Sequence, residues 1–444
     1  MAEILPSAIE QELLGIKHLL WGNEVKPDIF KRWSQGFYFS ESEPSALEQI
    51  SGGPCAILAP VQAFILKNFL LEYKDLSFRD RVNSEIISSK LIDALIEILE
   101  QCKTQKYHLV YLNSEVLHGS TEANEANCDI LEKKDNDRFF YHSITTPFDF
   151  HDRLKVVVYE RIEDVRKYFI ENIGSIKSQY GVLLFLYSVI HTKGLEQVKI
   201  ESETSEPLID ETYGYGSQSL INLMITGRAT TYVWDHEQDV GGLRLKGIAE
   251  QSAIGFITVM EHLRFCTVGS FYKNPKNPVW VIGSDTHLTV IFSDEFKLVS
   301  PETKSEEARR VFKSYDPDGN NFINSNLLGN VLETLGLCSD KEYVDLMKRK
   351  LDSESLGIIL LNAFMEEFFP KEESSVPDMF RLIHYNGLSS SNINSEVQYH
   401  VGSAILLEMD IKSICDSNPI LTALQTKWPN IEVNWDKNML PSLN

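Results

Sequence analysis

Cys55 is the side chain of this sequence with the best placement for nucleophilic chemistry. It follows a Gly-Gly-Pro sequence at positions 52–54, and the apolar residues 56–71 come directly after it. Because proline is favoured at the first position of a helix, we predict that Cys55 lies in the first turn of an apolar helix. The free N–H groups and the dipole at that end favour a thiolate by about 0.3–1 kcal/mol, and the thiolate is the reactive form. The alternative is a small, buried and inert side chain.

A cysteine nucleophile also needs a donor for the oxyanion and a base for the thiol proton. Gln49 lies six residues before Cys55, from where its side-chain amide could reach an oxyanion beside the Cys55 N–H. Among the eleven histidines, His287 has the best placement, because it follows a tight turn and opens a strand pattern. A Gln shortly before the Cys and a His far downstream is the chain order of papain-like peptidases. Spacing alone favours the interpretation of Gln49 as a surface glutamine. For His287, an exposed histidine in a hairpin remains an open alternative.

Hydrophobic patterning predicts the elements that must position these residues. Helical patterns dominate the first half of the chain and cover 1–22, 84–102, 160–172, 180–192 and 216–227. Pro60 is expected to kink or shorten the helix that begins at Cys55. The β-branched and aromatic runs 279–282 and 288–292, separated by turn residues, predict a hairpin that carries His287.

Beyond this hairpin the pattern changes twice. Residues 304–369 are helical, and strand patterns return at 380–384 and 431–435. A helical block between two strand-rich stretches predicts an insertion into an α+β fold.

Composition excludes several classes of function. The 444 residues carry 42 Lys and Arg against 64 Asp and Glu, which gives a net charge of −22 and disfavours nucleic-acid binding. The longest nearly apolar run found, 181–190, is about half of the roughly 20 residues that a transmembrane helix needs, so we expect no membrane span. Six scattered cysteines without a C-x-x-C pair predict neither a disulfide framework nor a zinc site. The N-terminus has no signal-peptide pattern, and we expect an intracellular monomer in the nucleus and/or cytoplasm.

Three ordered motifs resemble the MINDY family of deubiquitinases. The first is Gly-Gly-Pro-Cys55-Ala with Glu-Gln49 before it, the second is the stretch 216–229 followed by Val-Trp234-Asp, and the third is Gly-Ser-Asp-Thr-His287-Leu-Thr-Val. The similarity extends to the Pro-Ser-Leu-Asn444 ending. It is greatest to the branch of the family that carries an EF-hand-like insert.

This resemblance implies a papain-like cysteine peptidase that cleaves isopeptide bonds in polyubiquitin and needs no cofactor. It also implies a preference for the lysine linkage that marks proteins for the proteasome, with trimming from the chain end. It assigns Cys55 as nucleophile, His287 as general base and then acid, and Gln49 as oxyanion donor. It supplies no residue that orients the histidine. Asp285 and Asp294 are nearby, but we interpret both as solvated turn residues.

The resemblance further implies a domain division and a substrate groove. The catalytic domain is expected at 1–303 and 371–444, with a helical EF-hand-like insert at 304–370. The ubiquitin tail ends in two glycines and needs small residues beside the scissile bond, which Gly52 and Gly53 provide. Asn222 and Trp234 belong to the second motif; they are candidates for ubiquitin contact, although helix capping and core packing are the simpler interpretation.

The insert contains an incomplete calcium loop. Asp316, Asp318 and Asn320 occupy loop positions 1, 3 and 5, where calcium ligands are expected. Asn321 replaces the usual glycine at position 6, and Leu327 replaces the bidentate glutamate at position 12. The loss of that carboxylate predicts an EF-hand-like fold without bound metal.

Two other interpretations remain open at the level of sequence. One is a ubiquitin-binding or calcium-responsive scaffold with a degenerate active site. The other is a papain-like peptidase that acts on the tail of a ubiquitin-like modifier.

Overall fold

A computed structural model describes residues 7–113, 132–134, 138–140, 144–316, 319–370, 376–407, 418–436 and 440–444. The chain divides into two compact units. The first comprises Met1–Glu295 and Met379–Asn444, and the second comprises Phe296–Asp378. The range predicted for the insert, 304–370, lies within the second unit.

The described elements alternate between helices and short strands along the chain. The α-helices are α1 (Ala8–Trp21), α2 (Pro27–Trp33), α3 (Cys55–Tyr73), α4 (Ser84–Cys102), α5 (Pro147–Asp152), α6 (Ile162–Glu171), α7 (Ile173–Ile176), α8 (Gly181–Lys193), α9 (Leu195–Ser202), α10 (Gln218–Thr226), α11 (Val259–His262), α12 (Ser270–Lys273), α13 (Lys304–Ser314), α14 (Leu328–Thr334), α15 (Lys341–Leu351), α16 (Leu361–Phe368) and α17 (Pro419–Gln425). The strands are β1 (Tyr38–Phe39), β2 (Leu47–Glu48), β3 (Tyr107–Leu112), β4 (Glu132–Lys134), β5 (Arg138–Phe140), β6 (Leu154–Tyr159), β7 (Glu237–Val240), β8 (Leu243–Lys246), β9 (Gly255–Thr258), β10 (Val279–Gly283), β11 (Leu288–Phe292), β12 (Phe322–Asn324), β13 (Ile358–Leu360), β14 (Met379–Tyr385), β15 (Tyr399–Leu406) and β16 (Ile431–Trp435). Both kinds of element contribute to the core, so the first unit has the α+β composition expected from the sequence.

A six-stranded sheet in the order β16-β15-β14-β11-β10-β9 forms the centre of the first unit. Neighbouring strands are antiparallel except for β9 and β10, which are parallel. The predicted hairpin is confirmed: β10 and β11 pair from Val279 opposite Phe292 to Gly283 opposite Leu288. All ten of its strand residues are buried, because helices cover this part of the sheet.

Helix α3 packs on β10 and β11 and is flanked by α4, α8 and α10. It is apolar on all sides, which is the pattern of a helix buried in a core. By length and composition α3 alone among the described helices is suited to cross a membrane, but 83% of its most apolar stretch is buried inside the protein. The expectation that 181–190 is the longest apolar run is therefore wrong. So is the expectation that Pro60 shortens the helix, because α3 continues to Tyr73.

The second unit consists of two helix–loop–helix segments. Helices α13 and α14 flank the first loop, and α15 and α16 flank the second. The two loops pair through β12 and β13, with Ile323 opposite Ile359. The helices enclose an apolar core of their own that includes Phe312, Leu332 and Phe364.

Candidate active site

Cys55 begins α3, as predicted, and a tightly held loop leads to it. The Arg32 guanidinium donates to the carbonyl of Gly52 in this loop at 3.2 Å. The neighbouring Trp33 indole is held by its own hydrogen bond to the carbonyl of Gly214 at 2.9 Å. Gly53 has a φ of 135°, and a Cβ there would lie 2.9 Å from the Trp33 indole nitrogen. A residue with a side chain is therefore excluded at Gly53 by both backbone conformation and space.

The Cys55 thiol is buried, with 4% of the residue exposed. It contacts the carbonyl of Gly53 at a sulfur–oxygen distance of 3.8 Å. Burial raises its pKa to about 11, while the backbone N–H groups of Leu288 and of the first helical turn act in the opposite direction. Because Leu288 follows His287, the sulfur lies against the turn that carries this histidine. The resting state therefore contains a neutral thiol.

His287 lies in the turn before β11 and is also buried. The turn is closed by Ser284, whose N–H donates to the His287 carbonyl at 2.9 Å and whose hydroxyl accepts the His287 N–H at 3.0 Å. The ring nitrogen Nε2 pairs with Oδ1 of Asn386 at 2.9 Å. Burial lowers the pKa of His287, and the Asn386 hydrogen bond partly offsets this effect. Because an amide oxygen can only accept, Nε2 carries the proton and Nδ1 is the nitrogen left to act as a base.

Asn386 is the residue that sequence reasoning missed. It follows β14, and β14 pairs with β11 from Val290 opposite Tyr385, which brings Asn386 beside His287. The two acidic residues considered earlier do not take this role. Asp285 is exposed, as expected. The expectation that Asp294 is a solvated turn residue is wrong, because it forms an ion pair with Arg381 and only 12% of its side chain is exposed. A Cys–His–Asn constellation is the form that papain-like proteases use.

Gln49 is buried next to the same segment. Its backbone N–H donates to the carbonyl of Gly387 at 2.7 Å, one residue beyond Asn386. Its side-chain amide donates to the carbonyl of Ser51 at 2.8 Å. Gln49 therefore lies between the loop that leads to Cys55 and the segment that contains Asn386. Its side-chain amide forms its hydrogen bond with the loop.

Comparison with known proteins decides the family. The family described as "Deubiquitinating enzyme MINDY-3/4, conserved domain" matches residues 17–320. The chain is 52% identical to the Drosophila melanogaster ubiquitin carboxyl-terminal hydrolase MINDY-3 homolog, over 98% of this chain and 83% of that protein. It is 45% identical to Homo sapiens ubiquitin carboxyl-terminal hydrolase MINDY-3, over 99% and 100%. The chain belongs to the MINDY-3/4 family.

A more distant relative is the Bos taurus probable ubiquitin carboxyl-terminal hydrolase MINDY-4, with 29% identity over 68% of this chain and 38% of that protein. No solved structure matches the chain. The matched region of the MINDY-3/4 family contains Gln49, Cys55 and His287 but ends before Asn386.

The raised pKa of Cys55 predicts slow alkylation of the free protein. A thiol whose pKa is raised from 9.0 to about 11 contains about 100-fold less thiolate at neutral pH than an ordinary cysteine. Because a raised pKa keeps the proton on until high pH, we expect the iodoacetamide rate at Cys55 to rise steadily from pH 8 to pH 10. Peptide-resolved mass spectrometry measures the rate, with the exposed Cys338 as internal reference. Faster alkylation of Cys55 than of Cys338 at pH 7 would contradict the resting state described above.

Asn222, from the second MINDY motif, lies in the core rather than at the site. Its side-chain nitrogen donates to the carbonyls of Thr230 and Tyr232, and its oxygen accepts from Gln218 and Tyr272. The residue is fully buried. All four hydrogen-bonding positions are occupied by the protein itself, which favours the packing interpretation.

Trp234 and Asp235, which follow this motif, also have structural partners. Trp234 stacks on Tyr232 with ring centroids 4.1 Å apart. The Asp235 carboxylate accepts the backbone N–H groups of Ser270 and Phe271 and so caps α12. These contacts account for the Trp234 ring and the Asp235 carboxylate, whereas the buried Trp234 indole N–H has no hydrogen-bond partner.

We therefore expect Asn222→Ala to change stability far more than chemistry. The substitution leaves the buried Tyr272 hydroxyl and two backbone carbonyls without a partner, which costs about 2–4 kcal/mol of unfolding free energy. Urea denaturation measures this loss, and the reaction rate of the folded fraction with an electrophilic ubiquitin probe measures the effect on chemistry. A stable variant that has lost binding of ubiquitin would instead favour direct contact.

The three calcium-ligand candidates of the second unit are placed as follows. Both carboxylate oxygens of Asp316 accept backbone N–H groups, from Asn320 at 3.0 Å and Asn321 at 2.7 Å. The Asn320 side chain lies at the surface, and Asp318 falls outside the described residues. Within the described part of the chain there is no group of three or more His, Cys, Asp or Glu side chains arranged to hold a metal ion.

Proposed function

We propose that the protein is a cysteine-type deubiquitinase that cleaves isopeptide bonds in polyubiquitin. The names of its MINDY-3 relatives support the substrate, and the family match supports the reaction class. The observation that carries the proposal is the pairing of a buried histidine with Asn386 in the turn that touches the Cys55 thiol. Three segments that lie far apart in sequence meet there, and the side chains that they bring together are those that acid–base chemistry at a cysteine needs.

The proposed reaction follows from the roles of three side chains: Cys55, His287 and Gln49. Nδ1 of His287 takes the thiol proton of Cys55, and the thiolate attacks the carbonyl of the C-terminal glycine of ubiquitin. The Cys55 N–H and the Gln49 amide stabilise the oxyanion. The imidazolium then protonates the leaving lysine amine, which leaves a thioester. Water, deprotonated by His287, hydrolyses the thioester and restores the thiol and the neutral imidazole.

Substrate must change the resting site before this reaction. The Gln49 amide has to leave the Ser51 carbonyl, and the thiol has to leave the carbonyl of Gly53. Apo sites commonly tighten only in the substrate complex. The position at which a Gly52 Cβ would stand is open for at least 4 Å, so we propose that the diglycine end of ubiquitin enters beside Gly52 and Gly53 and drives the rearrangement.

A ubiquitin with an electrophilic C-terminus tests the proposal. We expect a covalent adduct on the native protein, none on Cys55→Ala, and an unchanged adduct on the matched control Cys266→Ala, whose thiol lies in the same unit. Adduct formation by Cys55→Ala would contradict the proposal. Tight binding of ubiquitin without any adduct would favour the scaffold interpretation. Adduct formation only with a probe made from a ubiquitin-like modifier would favour a peptidase that acts on the tail of that modifier.

We further propose selectivity for the lysine linkage that directs proteins to the proteasome, with cleavage from the chain end. Only the resemblance to the MINDY family supports this choice. Linkage-defined ubiquitin dimers and end-labelled longer chains test it. Equal cleavage of all linkages, or internal cuts, would contradict it.

For the second unit we propose a pair of EF-hand-like motifs that bind no calcium. Two helix–loop–helix segments joined by a loop-to-loop strand pair support the architecture. The two loops contain equivalent hydrogen bonds. Asp352 accepts the backbone N–H groups of Leu356 and Gly357, and Asp316 accepts two backbone N–H groups of its own loop. These carboxylates already serve backbone donors.

Calcium is therefore expected to have little effect. We predict that 1 mM Ca²⁺, compared with excess chelator, raises the melting temperature by less than about 1 °C, because a ligand stabilises a fold only as its concentration exceeds the dissociation constant. Differential scanning calorimetry measures the shift. A rise of several degrees would contradict the metal-free proposal.

A further inference from the structure

Residues 442–444 lie directly behind the candidate catalytic histidine. Leu443 is 4% exposed and anchors them in the first unit. The carbonyl of Ser442 accepts a hydrogen bond from Nδ2 of Asn386 at 3.0 Å. The side-chain oxygen of Asn444 accepts the hydroxyl of Ser284, in the turn that carries His287.

We propose that residues 442–444 position the histidine and set its tautomer, with Ser442 and Asn444 as positioning residues. This inference rests on the proposed function, since it concerns the base of that reaction. It assigns a role to a part of the chain that acts through Asn386 and through the turn of His287. Two separate sets of contacts carry it.

The first set determines which way the Asn386 amide faces. Its Oδ1 accepts from Nε2 of His287 and from the backbone N–H of Leu388 at 3.0 Å, while its Nδ2 donates to Ser442. Rotating the amide by 180° would set two donors against each other at Leu388 and two acceptors against each other at Ser442. The Ser442 carbonyl therefore supplies one of the two interactions that hold the amide oxygen towards the ring.

The direction of the amide decides whether His287 can act as a base. An amide oxygen at Nε2 keeps the proton there and leaves the lone pair on Nδ1. A rotated amide would donate to Nε2 and move the ring proton to Nδ1, which could then not take the thiol proton. A wrong histidine tautomer is known to be costly in triad enzymes.

The second set holds the turn itself. The Ser284 hydroxyl accepts the N–H groups of Thr286 at 3.3 Å and His287 at 3.0 Å. The hydroxyl has one hydrogen and two lone pairs. Its hydrogen has two acceptors within reach, the Asn444 oxygen and, farther away at 3.2 Å, the His287 carbonyl, and donation to Asn444 leaves the lone pairs for these N–H groups. The Thr286 hydroxyl adds a bond to the same Asn444 oxygen at 3.4 Å.

Deletion of residues 442–444 tests the inference. We expect kcat for ubiquitin-chain cleavage to fall about tenfold, as for the loss of one or two orienting hydrogen bonds, with KM unchanged. The matched control is Leu440→Ala, which alters an exposed neighbouring side chain and is expected to keep full activity. Unchanged kcat after the deletion, in a preparation whose full chain is active, would overturn the inference.

A second substitution separates tautomer control from simple loss of structure. The aspartate of Asn386→Asp has two acceptor oxygens, so either orientation of its carboxylate presents an acceptor to Nε2 of His287. In the full chain it is expected to lower kcat, because a carboxylate oxygen then faces the Ser442 carbonyl. In the shortened chain it is expected to raise kcat towards the native value. An equal loss in both backgrounds would overturn the tautomer argument.

Failure of this inference and failure of the proposed function give different results. If the shortened chain does not fold, Asn444→Ala replaces it, with an expected two- to threefold loss in kcat; no loss would overturn the inference. If the full chain forms no adduct with the ubiquitin probe, the proposed function itself fails.

Discussion

His287→Ala is expected to lower kcat for ubiquitin-chain cleavage by about 10⁴-fold, near the upper end of what general acid–base catalysis contributes. The size of the effect follows from burial. Because the pKa of Cys55 is raised to about 11, very little thiolate forms at neutral pH without a base. The same imidazole must then protonate the leaving amine, so its loss impairs two steps of the reaction. Steady-state cleavage of a linkage-defined chain measures the loss.

His262→Ala is the matched control, since this histidine is exposed on α11 in the same unit, and we expect it to keep full activity. The loss at position 287 should appear in kcat and not in KM, because the ring is buried and makes no early contact with substrate. Raising the pH should partly restore the variant, since more thiolate forms without help as the pH approaches the pKa of Cys55. A His287→Ala variant that is folded and retains more than a tenth of native kcat would contradict the assignment.

Local patterns in the sequence were sufficient to predict the elements that carry the chemistry. Apolar residues after Gly-Gly-Pro predicted the start of α3 at Cys55, and turn residues between two β-branched runs predicted the hairpin with His287. Both signals lie within about twenty residues of chain. The helices at α1, α4, α6, α8 and α10 were predicted for the same reason.

Asn386 could not be found in this way, because its role depends on which strands are neighbours. In the sequence, the whole second unit lies between β11 and β14, which pair with each other. The hydrophobic pattern of neither strand shows which strand is its neighbour. Strand β15, which pairs along the whole of β14, was missed because Gly402 and Ser403 interrupt its apolar pattern. An Asn-Gly pair directly after the 380–384 strand pattern was visible, but it reads equally as an ordinary turn.

The resting geometry of Gln49 was also beyond the sequence. Spacing alone favoured a surface glutamine, and the oxyanion role came from the resemblance, whereas the structure buries Gln49 and directs its amide to the Ser51 carbonyl. Which acceptor a buried amide takes depends on distances of a few tenths of an ångström, and on whether substrate is present. The sequence therefore predicted neither the burial of Gln49 nor the acceptor of its amide.

Gln49→Ala is the second substitution with a large expected effect. Removal of one oxyanion donor typically lowers kcat by about 10²–10³-fold, and we expect a loss in this range with little change in KM, because the donor acts on charge that develops in the transition state. Stability should fall by only about 1 kcal/mol, since the Ser51 carbonyl loses a single hydrogen bond. The matched control is Gln238→Ala on the exposed strand β7, for which full activity is expected.

The rate of Cys55 alkylation by iodoacetamide, compared with the rate of ubiquitin-chain turnover, distinguishes the two roles of Gln49. If the amide also restrains the cysteine loop at rest, through its bond to Ser51, then its removal frees the loop, and alkylation of Cys55 by iodoacetamide should become faster in the absence of ubiquitin. The same variant would thus react faster with a small alkylating agent and turn over ubiquitin chains more slowly. A parallel loss of both rates would contradict the oxyanion assignment and indicate that Gln49 only supports the fold. Opposite changes are expected because the amide restrains the loop when the site is empty and stabilises the oxyanion when the site is filled.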